Sequence, residues 1–170
     1  MKNTILIIIL VFSFLSCNSQ TENKSTELKI NDLTFIEGKW KAIAKDSSFS
    51  SILEYKFSPE GRLLLATNHL YGKDGKVFGI YEGAYLLDVD KIIYMLSGPN
   101  GETHQGAALV AKDTITHLAR INPGKSIKTY KSQMILKNNY LYYYANYSKE
   151  SEIPEQLEYK NPLIYERLRE

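Results

Sequence analysis

Glu82, Ser97 and His104 are a carboxylate, a hydroxyl and an imidazole, the types that hydrolytic chemistry uses as orienter, nucleophile and base. Antiparallel pairing with every turn at its shortest sets Ser97 opposite His104 and puts the three in one row across adjacent strands, with Cβ atoms about 5 Å apart. That order is wrong for a triad, because serine falls between its two partners whereas the imidazole must touch both. No Gly-x-Ser-x-Gly elbow is present to expose a nucleophile either. The row reads instead as an anchor for the polar end of a ligand, or as a self-satisfied internal hydrogen-bond network. No enzyme activity is expected.

His117, Tyr130 and Tyr147 form a second row by the same pairing. His104 lies four residues from Ala108, the partner of His117, which is about 13 Å at strand rise. Two histidines so far apart cannot share an ion that needs Zn–N distances of about 2 Å. No metal and no cofactor are therefore expected; a single-histidine haem site, with His104 or His117 as ligand, stays open, but nothing specific signals it. In "NYLYYYANY", alternation turns Tyr143 and Tyr147 to one face and Tyr140, Tyr142 and Tyr144 to the other. The first pair suits a ligand wall; the second suits a contact surface, or merely the cover of a sheet.

The elements that must position these residues are short apolar runs from Trp40 onward. They are separated by turn signals such as "SPEG", "GKDG", "DVDK", "PNGE", "NPGK" and "NN". No stretch after position 30 holds a capped helical period. The fold expected is all-β, an antiparallel up-and-down barrel of about 8 to 10 strands, because hairpins without helical crossovers favour closure. Positions 148–161 form one long polar interruption before a last strand at 162–168.

Carrying side-chain faces across the hairpins makes one face Phe78, Ile80, Glu82, Ala84 and Leu86, then Ile93, Met95 and Ser97. It continues through His104, Gly106, Ala108, His117, Ala119, Tyr130, Ser132, Met134, Tyr143, Ala145 and Tyr147. This is the greasier face and is assigned to the interior. Its small residues (Gly106, Ala108, Ala119 and Ala145) leave volume for a cavity. Upstream of position 76 the register conflicts, placing His69, Glu54 and Lys56 inside, and a bulge near "SPEG" or "GKDG" would repair it.

The first residues, "MKNTILIIILVFSFLSCNSQ", combine Lys2, an unbroken apolar run and small or polar residues leading into Cys17. The run is short for a membrane span of about 20 residues and reads as an export signal. Leu15-Ser16-Cys17 resembles the lipobox of bacterial lipoproteins, in which the cysteine is lipidated after cleavage; Phe14 departs from the usual leucine. Cys17 is the only cysteine, so an internal disulfide cannot form, and lipidation would use it. With Lys2 removed, the 21 basic and 19 acidic residues become 20 and 19. That balance gives no reason to expect nucleic acid. The organisation expected is a signal at 1–16, a tether carrying the lipidated Cys17 at 17–32, and one barrel domain at 33–170. The location expected is the cell envelope, on the outer membrane, with either leaflet face open.

"NDLTFIEGKWKAIA" resembles the first motif of the lipocalin-like superfamily, in which Gly-x-Trp opens the first barrel strand. Gly38 and Trp40 match it, and Phe35 lies where that family places an aromatic. The resemblance implies that a late arginine packs over the tryptophan, and Arg167 is the candidate, with Arg169 second. The departures are a missing long C-terminal helix and a missing disulfide. The function expected is that of a membrane-anchored lipoprotein holding a small hydrophobic or amphipathic molecule, with Glu82, Ser97, His104, His117, Tyr130, Tyr143 and Tyr147 around it. The alternative is a protein- or glycan-interaction module of an envelope complex with a filled barrel and an envelope protein as partner.

Overall fold

The computed structural model describes residues 29–89, 91–121, 128–148 and 161–169. The export signal, Cys17 and the tether up to position 28 lie outside the described residues, as does most of the polar stretch 148–161.

Ten antiparallel strands run in chain order: β1 (Gly38–Ile43), β2 (Phe49–Phe57), β3 (Leu63–Gly72), β4 (Val77–Asp88) and β5 (Lys91–Ser97). They continue with β6 (Thr103–Ala111), β7 (Thr114–Ile121), β8 (Lys128–Lys137), β9 (Tyr140–Ser148) and β10 (Leu163–Arg167). Each strand pairs with its neighbours in sequence, and β10 returns to β1, so the sheet closes into an up-and-down barrel. The local reason is period-two patterning in β-branched and aromatic runs: along β7 every second residue, Ile115, His117, Ala119 and Ile121, is buried. Closure leaves no unpaired strand edge.

The interior of β6 to β9 is the face expected, with His104, Ala108, His117, Ala119, Tyr130, Ser132, Met134 and Leu141 buried. On β4 and β5 the expected face is reversed. Tyr85, Ile92 and Tyr94 point in, whereas Phe78, Ile80 and Met95 are exposed. The cause lies in one connection. Ser97 pairs with Thr103, and His104 pairs with Leu96. The chain between β5 and β6 is therefore five residues, Gly98–Glu102, and it takes left-handed backbone at Asn100 (φ 61) and Gly101 (φ 74). Pairing Ser97 with His104 would leave Thr103 in the turn as well. Moving that one residue from turn to strand inverts every face upstream.

Restoring that parity removes the conflict in the first strands. Ser51, Leu53 and Tyr55 of β2 and Leu64 and Ala66 of β3 are buried. Glu54, Lys56 and His69 stand at the alternate, outward positions of the same ladders. A register shift does occur beside "GKDG", between Leu70 and Tyr71, but it does not carry the inversion.

One end of the barrel is solid. A 3-10 helix, Ile30–Ile36, enters beneath β1 and buries Ile30, Leu33 and Ile36. Leu33, Ile36, Trp40, Leu64, Ile92, Ile115 and Leu141 are each 0% exposed and form this floor. The Trp40 indole N–H donates to the Ile36 carbonyl at 2.8 Å, satisfying its polar edge while the ring is buried. Arg167, the cross-strand partner of Trp40, lays its guanidinium 4.2 Å from the ring centroid. The same guanidinium donates to the carbonyls of Glu37 at 2.7 Å and Phe35 at 2.9 Å. Gly38 makes this approach possible: its φ is +112, and a Cβ there would stand 3.3 Å from Arg167 Nη1. The last strand is thus pinned to the first and to the helix beneath it.

Candidate functional site

Above the floor, in the half of the barrel where β2 begins and β3 ends, lies a cavity of about 310 Å³. Its wall is built by rings, buried at Tyr85 and Tyr94 and reaching the rim at Tyr147, which is 62% exposed. One row of the sheet runs Tyr85, Tyr94, Gly106, Ala119, Tyr130 and Tyr147 across six strands. Gly106 and Ala119 lie between the two long side chains, so Tyr94 and Tyr130 reach over them and meet hydroxyl to hydroxyl. Gly106 cannot be larger, since a Cβ there would stand 2.0 Å from the Leu118 carbonyl oxygen. Tyr85 stacks on Tyr94 with centroids 5.6 Å apart, and Tyr147 stacks on Tyr130 at 5.7 Å.

His117 lies at the bottom of this aromatic wall. Its Nε2 is 2.8 Å from the Tyr85 hydroxyl and its Nδ1 is 3.0 Å from the Ser132 hydroxyl. Both partners are hydroxyls, so either tautomer of a neutral imidazole is satisfied. Burial pushes the His117 pKa down to about 3, so the ring is uncharged at neutral pH and is not a proton carrier there. Burial likewise holds the phenols of Tyr85, Tyr130 and Tyr143 well above their ordinary value. Ser51 bridges Asn68 at 2.6 Å and Tyr165 at 3.1 Å. The Tyr55 hydroxyl meets the Met134 sulfur at 3.3 Å. Among the described residues, no buried side-chain nitrogen or oxygen lacks a partner.

The mouth is different in kind. His104 Nε2 stands 2.6 Å from Glu102 Oε1. Its ring is met edge-on by Tyr81 at 5.7 Å and by Tyr130 at 5.3 Å. Tyr81 in turn packs against the β5–β6 connection, where a Cβ on Gly98 would come within 2.5 Å of its ring. Phe49, Leu70, Leu96, Tyr147 and Leu163 complete the rim.

Of the residues expected to meet a ligand, His104, His117, Tyr130, Tyr143 and Tyr147 line the cavity. Glu82 and Ser97 do not. They pair with each other on the outer face of β4 and β5, so no Glu82–Ser97–His104 row exists. His117 pairs with Ser132 rather than with Tyr130, which lies opposite Ala119. Tyr55, Tyr81, Tyr85, Tyr94, Glu102 and Tyr165 were not expected and all line the cavity. The signal that could have found most of them is the alternation Tyr81-Gly83-Tyr85, large and small residues on one face, read with a five-residue "GPNGE" connection. Among the described residues no three His, Cys, Asp or Glu side chains converge as a metal site would need. No family model matches this chain, and no curated protein matches its sequence.

Proposed function

We propose that this chain is a membrane-anchored, lipocalin-like lipoprotein of the cell envelope that binds a small, mostly apolar molecule inside its barrel and performs no catalysis. The observation that carries this reading is the cavity of about 310 Å³ above a fully packed floor, at the lower end of the ~300–1,000 Å³ range of ligand pockets. Its wall is aliphatic and tyrosyl, and its deep polar groups already satisfy one another. A guest therefore gains by covering apolar surface and ring faces, not by completing a hydrogen-bond network. The same satisfied network argues against chemistry at depth, because burial pushes the His117 pKa down to about 3 and makes the ring, held between two hydroxyls, a poor base. Gly38, Trp40 and Arg167 serve closure in this reading, and Cys17 serves attachment.

The test is titration with N-phenyl-1-naphthylamine, a neutral apolar fluorophore. The intact domain should show saturable enhancement, and Leu70→Trp, which places an indole at the mouth, should abolish it without unfolding the barrel. Equal enhancement in the variant would show that the probe binds elsewhere.

A second reading, an interaction module of an envelope complex, is favoured by the outer face of β3 to β6. Leu65, Phe78, Ile80, Met95 and Leu109 are all between 41% and 60% exposed, and an apolar surface of this kind commonly marks contact with another protein. Ile93→Lys with Met95→Glu should then remove an in-cell cross-link to a partner while leaving probe binding intact. A cross-link that survives the pair would count against this face.

A further inference from the structure

The class of molecule that fits the cavity is set by charge at its mouth. Among the described residues that line it, eight are tyrosines, one is a carboxylate and none is lysine or arginine. The carboxylate is Glu102. Oε1 faces His104, and Oε2 has no hydrogen-bond or ion-pair partner among the described residues. Among the described residues of the lining, a carboxylate or phosphate guest finds no lysine or arginine. An ammonium finds a half-coordinated carboxylate in a lining that also holds Tyr81 and Tyr147, both close enough for Glu102 to act on their phenols, and aromatic faces attract cations. Glu102 is near enough to Tyr81 that, after burial, it is the next cause holding that phenol above its ordinary value.

We infer that the cavity takes a small organic monocation, a primary or quaternary amine on an aromatic or aliphatic body. The ammonium sits at the mouth against Glu102 Oε2 and the faces of Tyr81 and Tyr147, and the body lies inward between Tyr94, Tyr130 and Leu53. This assignment rests on the ligand-binding reading above and adds the charge of the guest to it. The backbone register sets Lys128 opposite Ile121 in the row that also contains His104, so the experiment carries a variant at that position.

The experiment is calorimetric titration of the intact protein at pH 7 with three compounds of one skeleton: 3-phenylpropylamine, 3-phenylpropan-1-ol and 3-phenylpropanoate. The amine should bind about tenfold or more tighter than the alcohol, and the acid should bind weakest. Glu102→Gln should bring the amine to the level of the alcohol while leaving the alcohol within about twofold. Tyr81→Leu should weaken the amine selectively and serves as the second variant if Glu102→Gln does not fold. An amine that binds no tighter than the alcohol overturns the cation assignment and leaves apolar binding standing. Preference for the acid, lost in Lys128→Met, overturns it as well by placing a positive charge at the mouth. Failure of all three to bind, in a protein that also fails to bind the neutral fluorophore, removes the binding reading itself.

Discussion

His117 is a titratable ring that folding keeps from titrating. Its pKa falls to about 3 in the folded chain through burial, whereas an unfolded chain would give an ordinary imidazole value near 6.5. Below about pH 6.5 the unfolded state binds the extra proton and the folded state does not. Stability should then fall by roughly 1 kcal/mol per pH unit until about pH 3. It is unaffected by this group above pH 7. Urea midpoints at pH 7 and pH 4.5 should show the loss in the native chain, with a difference of roughly 2 kcal/mol less in His117→Gln. Parallel pH dependence in the two proteins would place the acid lability elsewhere. Tyr94 and Tyr130 make a second residue-scale case, because each hydroxyl is the other's partner. Tyr94→Phe leaves a buried phenol unpaired and should cost about 1–3 kcal/mol, while the double change Tyr94→Phe with Tyr130→Phe should cost less than twice that. Strict additivity in thermal unfolding would contradict the pairing.

At the scale of elements, closure depends on one guanidinium. Arg167 lies over Trp40 and donates to two carbonyls at the exit of the 3-10 helix. A lysine can supply charge but not the planar fork, so Arg167→Lys should lower stability by about 1–2 kcal/mol in urea unfolding. No change would show that β10 is held by its ladder alone. The contact between these residues was legible only through resemblance: Gly38-x-Trp40 resembles the first lipocalin-like motif, which implies a late arginine over the tryptophan, and Arg167 now stands there. The β5–β6 connection was not legible. "GPNGE" has turn residues at every position, and nothing in their types says whether Thr103 after them belongs to the turn or to the strand. That single count decided the face of β4 and β5. The outer side of those strands is as apolar as the inner, so hydrophobicity could not correct the error. Tyr81, Tyr85 and Tyr94 were hidden behind Ile80, Leu86 and Ile93 for that reason, and Glu82 and Ser97 were wrongly brought to His104.

On the scale of the whole molecule, the closed ten-strand barrel was readable because hairpin rhythm does not depend on knowing each face. The cavity was only half readable. Small residues on β6, β7 and β9 announced volume, but how much of it the rings of Tyr85, Tyr94 and Tyr130 fill depends on side chains that meet across the barrel. The proposed anchor makes a separate prediction: Cys17→Ala should leave the domain folded and move it from the membrane to the soluble fraction, and continued membrane association would refute lipidation as the tether. The central claim, that the barrel carries a guest, is tested most directly by native mass spectrometry of the full protein isolated gently from the cells that make it. The account predicts a non-covalent adduct of small-molecule mass, released on unfolding and absent from Leu70→Trp. A bare polypeptide mass in native and variant alike, with no adduct under conditions that preserve other non-covalent complexes, would contradict it.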